Sequence, residues 1–298
     1  MAETPVSRGA ATRKGIAIAV LAITMFAALD VVSKILGQQM SVVQIIWVRS
    51  LIFLPLALAF AWRPGVGLAW RSGMPWLQTF RVVLLLVEMW FFLSAFALVP
   101  LADAHAIGAS APLLVTALSV PFLGEKVGWR RWAAVGTGFA GMLMIVRPGF
   151  ADFSWAMLYA VAGATLWAVY QIVLKIVGRT DSATTTGVWT AVLSAVFTSL
   201  LGPFFWTPPD ATGWTLLVVA ALVGGVSHIV YSRAFNLAPA SALQPFTYLL
   251  LVYAAVFGWL IFGDVPDRWT VAGAALIVSS GLYTFHRERV RAARMATP

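Results

Sequence analysis

The chain of 298 residues is 61% hydrophobic and only 10% charged, carries a net charge of +9 and contains no cysteine. Soluble globular chains are nearer half apolar and a quarter charged, so a single core cannot hide this much apolar surface and a bilayer is the natural solvent. The missing cysteines exclude disulfides, thiolate metal sites and cysteine nucleophiles, and three histidines are poor material for a metal site on their own.

Taken in order, residues 1–15 are polar, include Arg8, Arg13 and Lys14, and read as a disordered cytoplasmic tail. Ten apolar runs follow, at 16–37, 42–62, 74–98, 101–123, 129–147, 154–177, 184–204, 213–236, 240–262 and 268–286. Each is near the ~20 residues that cross ~30 Å of hydrocarbon. The runs are continuously apolar with no alternation of period two, which predicts helices rather than a barrel. Turn chemistry separates them, as at Arg63-Pro64-Gly65, Arg147-Pro148-Gly149 and Pro208-Pro209-Asp210. Residues 287–298 form a basic tail. Assigning alternate loops to two sides puts 13 cationic residues on one side, from Arg8 to Arg294, and only Arg147 and Arg268 on the other. The positive-inside rule then predicts both termini in the cytoplasm of an inner-membrane protein. The same cationic rim suits an anionic leaflet and explains the basic charge without nucleic acid.

A stretch of the first half recurs in the second. Ala95-Phe96-Ala97-Leu98-Val99-Pro100 leads through an apolar run to Gly124-Glu125; Ala234-Phe235-Asn236-Leu237-Ala238-Pro239 leads to Gly263-Asp264, each position 139 residues on. The first helices of the two halves align at an offset of 141, matching Phe26 with Trp167, Asp30 with Gln171 and Lys34 with Lys175. Five spans per half is an odd number, so a direct sequence repeat places its halves in opposite orientations. The expected fold is an all-α membrane protein of ten transmembrane helices in two inverted five-helix repeats, residues 16–147 and 154–286.

These features together resemble the drug/metabolite transporter superfamily in its EamA branch, over about residues 15–287. Within it the chain looks like the YddG-type amino-acid exporters and is similar to bacterial riboflavin and S-adenosylmethionine carriers. The resemblance implies alternating access around a central cavity between the repeats, lined mainly by helices 1, 3, 4, 6, 8 and 9, with helices 5 and 10 peripheral. The second acidic stop, Asp264 followed by Pro266, departs from the family's usual Glu.

Ionisable residues inside a bilayer are costly, by roughly 2.5–3.5 kcal/mol each, and mark function by default. Asp30 and Lys34 lie four apart on one face, as a self-neutralising pair or as gating or substrate contacts. Lys175 reads as snorkelling to the rim. Arg49 either braces its neighbours or binds a substrate carboxylate. Arg81 and Glu88 share a face of the third span; Glu88 is a candidate proton-coupling site, as is Asp30, or else one side of a buried ion pair. His105 and Gln244 each follow the repeat's Pro by five residues, and are expected to face one another across the repeat axis. Trp167, Tyr170 and Gln171 share a helical face, Trp90 lies deep in its span, and the eighth and ninth spans add Ser227, His228, Tyr231 and Tyr248. Such an aromatic box with a few polar groups suits an amphipathic metabolite; ordinary aromatic packing is the plainer reading. Pro112 and Pro245 predict kinks.

Gly136-Thr137-Gly138-Phe139-Ala140-Gly141 spells GxGxxG but sits inside a span, where small residues serve helix packing. Ser227 and His228 are adjacent, about 100° apart on a helix, and form no dyad. There is no Walker motif. The expectation is a carrier, without a cofactor, as monomer or homodimer, exporting amino acids including aromatic ones. The alternatives are an uptake carrier for a ring-containing metabolite such as riboflavin or S-adenosylmethionine, a channel, or an intramembrane enzyme.

Overall fold

Long apolar runs with few breakers dictate helices, and among the described residues every regular element is helical. The computed structural model describes residues 5–61, 70–124, 127–150, 153–238 and 240–296. The helices are α1 (Pro5–Gln39), α2 (Val42–Ala61), α3 (Pro75–Leu98), α4 (Leu101–Gly108), α5 (Ala111–Leu123), α6 (Trp129–Val146), α7 (Met157–Val177), α8 (Ala183–Leu201), α9 (Ala211–Leu237), α10 (Ala240–Leu243), α11 (Leu249–Phe257) and α12 (Arg268–Ala296). Short 3-10 turns occupy Gly202–Phe205 and Gln244–Tyr248, and a π turn occupies Gly258–Phe262.

Eight stretches of helix are long and apolar enough to cross a membrane, counting α4 with α5 as one. The two other long helices, α6 and α12, stand outside that set and pack on each other. Arg130 and Arg131 lower the hydropathy of α6, as Ser279, Ser280, His286 and the Arg-rich end do for α12. Glycines in both helices let the backbones close up. A Cβ on Gly141 would lie 2.6 Å from the Gly273 carbonyl oxygen, and one on Gly273 would lie 2.5 Å from that of Gly141. The GxGxxG run is therefore a helix-packing surface, as read from its position.

Both prolines singled out from the sequence stand at helix breaks. The fourth run is interrupted at Ala109-Ser110, and Pro112 sits in the first turn of α5, where a missing N–H does no harm. Pro245 opens the 3-10 turn before α11. The two Gly-acidic stops of the repeat also share a cause. Gly124 (φ 68°) and Gly263 (φ 73°) both end their helices in the left-handed region, which only glycine enters freely. Glu125 lies outside the described residues.

The N-terminal tail differs, in its described part, from the expectation of disorder, and the basic C-terminal tail is helical as far as it is described. α1 begins at Pro5 and α12 continues to Ala296. Residues 287–296 are mostly Ala and Arg, strong helix formers, so the last span simply continues.

Packing crosses between the halves throughout. α1 lies along α9, α3 along α7, α2 against α8, and α6 against α12. The largest buried cluster joins Phe96 and Val99 at the end of α3 to Leu101, Ala104 and Ile107 of α4, Ile145 of α6, Ala160 and Ala164 of α7, and Ile277 of α12. A second joins Leu29 and Leu36 of α1 to Ile45 and Ile46 of α2 and Leu217 and Ala220 of α9. Alanines at these contacts bring backbones close, which drives association where lipid is as apolar as leucine.

Trp76, Trp129, Trp132, Trp214 and Trp269 are exposed near helix ends, as interfacial aromatics are. Trp62 lies outside the described residues.

Candidate functional site

One face of α1 organises the polar interior. Residues four apart on a helix stack on one side, and Phe26, Asp30 and Lys34 follow that spacing. Phe26 meets the rings of His228 (4.9 Å, 69°) and Tyr231 (6.0 Å, 78°) on α9, edge to face. Asp30 Oδ2 lies 3.1 Å from His105 Nε2 on α4, and His105 stacks on Phe96 of α3 at 5.1 Å. Lys34, only 5% exposed, donates to the Val99 carbonyl at 2.8 Å, lies 3.2 Å from Asp264 Oδ2, and sits 5.0 Å from the Phe262 ring centroid. Asp30 and Lys34 therefore do not neutralise each other. Each takes a tertiary partner, because a helical i,i+4 pair is worth only about 0.2–0.5 kcal/mol and buried charges demand closer satisfaction.

Arg49 of α2 comes toward this face from the other side. Arg49 is half-buried and within electrostatic reach of Asp30 and His228. It makes no hydrogen bond or ion pair with any described residue. It rests against α9 where that helix has no side chain: a Cβ on Gly224 would lie 3.5 Å from Arg49 Nη2. His228, one helical turn further along α9, is exposed.

The matching face of α7 is built differently. Trp167 stacks on Tyr170 (5.2 Å, 19°), and Tyr170 accepts a 3.0 Å hydrogen bond from Arg81 Nη1. Arg81 is fully buried and spends itself on structure. It also donates to Gln78 Oε1 (3.0 Å), the Thr186 carbonyl (3.1 Å) and Thr190 Oγ1 (2.7 Å), tying α3 to α7 and α8. Glu88, on the same helix, is 7% exposed and forms no ion pair with any described residue. Gln171 is half-buried and Lys175 exposed.

The structure thus gathers Asp30, Arg49, His105, His228 and Tyr231 around α1. It places Trp167, Tyr170, Gln171 and Glu88 on the α3–α7 side. Trp90 of α3 is exposed on that same side and packs with Phe91 and with Tyr159 of α7. One candidate stands elsewhere. The Tyr248 hydroxyl presses on Gly281 of α12, where a Cβ would collide with it. The side chain of Gln244 lies outside the described residues, and with it the expected facing of His105 and Gln244.

Cross-half clasps close both ends of the bundle, and sequence reasoning missed them. At the Lys34 end, Thr270 donates to Asp103 (2.7 Å), Arg147 lies 2.6 Å from Asp267, and Gln44 bonds Thr207 through both its amide atoms (2.8 and 3.0 Å). Asp267 also accepts from the first amides of α12. Partial burial raises its carboxyl, but those amides and Arg147 outweigh burial and hold it below the usual carboxylate range. At the other end Asp181 accepts from Ser72, the Gly73 amide (2.8 Å) and Gln78 (2.9 Å). Burial again raises the carboxyl, and these bonds again win, leaving it lowered. The register of the repeat, which pairs Lys34 with Lys175 and aligns Asp264 with Glu125, is the one sequence signal that bears on these contacts.

Comparison with known proteins agrees with this architecture. The "S-adenosylmethionine uptake transporter" of Rickettsia bellii is 27% identical over 92% of this chain and 94% of its own. The "Riboflavin transporter" of Rhizobium johnstonii is 32% identical over 91% of each, and the pseudopaline exporter of Pseudomonas aeruginosa is 30% identical over 89% of this chain and 94% of its own. A solved crystal structure, 20% identical, shares the fold with a TM-score of 0.59 over 96% of this chain and 99% of its own. Residues 13–147 and 154–285, one segment from each half, match the EamA-like transporter family. The chain belongs to the EamA-like transporter family.

Proposed function

We propose that the protein carries small organic metabolites across the inner membrane by alternating access, and that it exports amino acids, aromatic ones included. Its ten helices, α6 and α12 among them, form two inverted five-helix repeats, residues 16–147 and 154–286, with both termini cytoplasmic. The observation that carries the reading is the interior set on α1, α2, α4 and α9. Charged and aromatic groups from both halves converge there, and an arginine among them has no partner among the described residues. A carrier needs such a site near the middle of the bundle, between its repeats.

The helix contacts support the inversion. Exchanging the halves turns the α1–α9 contact into the α7–α3 contact and leaves α2–α8 and α6–α12 unchanged. Polar clasps between the halves at both ends are the contacts that alternating access must break in turn. Glu88 and Asp30 are the candidate proton-coupling groups, and no cofactor enters the scheme. The family is one of transporters, and neither a channel nor an intramembrane enzyme has an observation in its favour.

A second reading, uptake of a ring-containing metabolite, is favoured by the similarity to the S-adenosylmethionine and riboflavin transporters of Rickettsia and Rhizobium. Purified protein in liposomes, screened over amino acids, flavins and nucleoside-like solutes, tests both. Amino-acid flux that saturates is the expected result. Saturable flavin flux without amino-acid flux selects the second reading, and linear flux of everything selects a pore. A reporter fused to the C-terminus is expected on the cytoplasmic side.

A further inference from the structure

Asp30 and Arg49 lie within electrostatic reach of one another, and among the described residues they form no ion pair with each other. Arg49 has five N–H donors and gives none of them to a described residue. Asp30 lies within its electrostatic reach, but its carboxylate bonds to His105 on the far side. An arginine that only braced the fold would look like Arg81, whose four hydrogen bonds leave no room for a ligand. Instead α9 presents Gly224 and Gly225 opposite Arg49 and Phe53, leaving that wall without side chains. The Phe26, His228 and Tyr231 rings adjoin the charges along the same α1 face.

We propose that Asp30 and Arg49 form a two-charge seat for a zwitterionic α-amino-carboxylate head group. The carboxylate pairs with the Arg49 guanidinium in its planar, two-donor geometry. The ammonium takes Asp30, displacing or sharing the bond from His105. The solute's side chain extends toward Phe26, His228 and Tyr231. The seat presupposes the carrier described above and adds what that carrier recognises: the charged end of the solute, by both of its charges.

Electrostatics makes the seat selective. A monoanion gains Arg49 but is set against Asp30, and a monocation gains Asp30 but is set against Arg49. Only a zwitterion, aligned antiparallel to the protein's own dipole, satisfies both. Juxtaposed like charges and unpaired buried polar groups are what produce strong discrimination. Riboflavin carries neither charge and has nothing to offer the pair.

The test uses the full-length protein in liposomes loaded with phenylalanine. Uptake of labelled phenylalanine is challenged with phenylalanine, phenethylamine, phenylpyruvate and riboflavin. Phenylalanine is expected to compete about 100-fold or more better than the amine or the keto acid, since each lacks one charge the site requires. This wild-type comparison needs no mutant to fold. In variants, Arg49→Gln should weaken phenylalanine far more than phenethylamine, and Asp30→Asn should weaken phenylalanine far more than phenylpyruvate. A purely structural role would weaken all three alike.

Equal competition by the amine or the keto acid, or equal losses for all three solutes in both variants, would overturn the seat. Saturable riboflavin flux with no zwitterion transported would overturn the seat and leave the carrier standing. Absence of saturable flux for every solute would overturn the carrier itself.

Discussion

Arg81 and Arg49 bring the same side chain into the interior of the same bundle and meet opposite treatment. Arg81 on α3 is fully buried and donates four hydrogen bonds to groups on α3, α7 and α8. Arg49 on α2 is half-buried and donates none among the described residues. Position in a helix does not separate them, nor does residue type. The difference is whether the fold itself supplies acceptors. A guanidinium inside a bundle without acceptors is expensive, and the proposed seat would give Arg49 a carboxylate to meet.

The largest expected effect breaks the first side of the comparison. Arg81→Leu removes the donor shared by Gln78 Oε1, the Tyr170 hydroxyl, the Thr186 carbonyl and the Thr190 hydroxyl; the last two keep their bond to each other, and each group left unsatisfied costs roughly 1–3 kcal/mol. The melting temperature in detergent should fall further than for any other variant here, and Arg81→Lys should recover only part of it, because an ammonium lacks the planar fork.

Next in size is a test of motion around the site. The chain has no cysteine, so Lys34→Cys with Asp264→Cys makes a protein with only two thiols. Bridging them with a short bifunctional thiol reagent should stop transport, and a reducible bridge should restore it on reduction. The unbridged double variant is the control for loss of the ion pair itself.

A smaller effect separates the periphery from the site. Gly141→Leu forces a side chain into the α6–α12 contact and should cost about 1–3 kcal/mol by overpacking. It should lower the melting temperature while leaving the affinity for solute unchanged, because α6 and α12 contribute no group to the set around Arg49.

The smallest concerns the Asp181 clasp between the two halves. Its carboxyl is held below the ordinary value of 3.8 in the folded protein. The stabilisation is therefore complete above that ordinary value and is lost as the pH falls through the depressed one. Melting in detergent should show an Asp181→Asn difference at pH 6 that shrinks toward pH 3.

Much of the architecture was legible in the sequence because hydropathy is local. The run read as 129–147 is α6, Trp129–Val146, and the run read as 154–177 ends with α7 at Val177. The Gly-acidic stops were legible because the left-handed turn at Gly124 and Gly263 is a property of one residue. Partners were not legible where they are distant in the chain. Lys34 pairs 230 residues away with Asp264, while the sequence offered Asp30 one turn away. Arg49 and Arg81 were both visible as intramembrane arginines. Their roles were not, since those depend on acceptors at Tyr170, Thr186 and Thr190, more than 80 residues from Arg81.

The most direct test compares Arg49→Gln with Arg81→Gln, measuring melting temperature and saturable amino-acid exchange on each purified protein. Arg49→Gln should melt close to the parent and lose exchange at least about tenfold, the loss expected when one charged contact to the solute is removed. Arg81→Gln should melt well below the parent. An Arg49→Gln protein that melts as low as Arg81→Gln, or that melts normally and exchanges normally, would contradict the division of the two arginines.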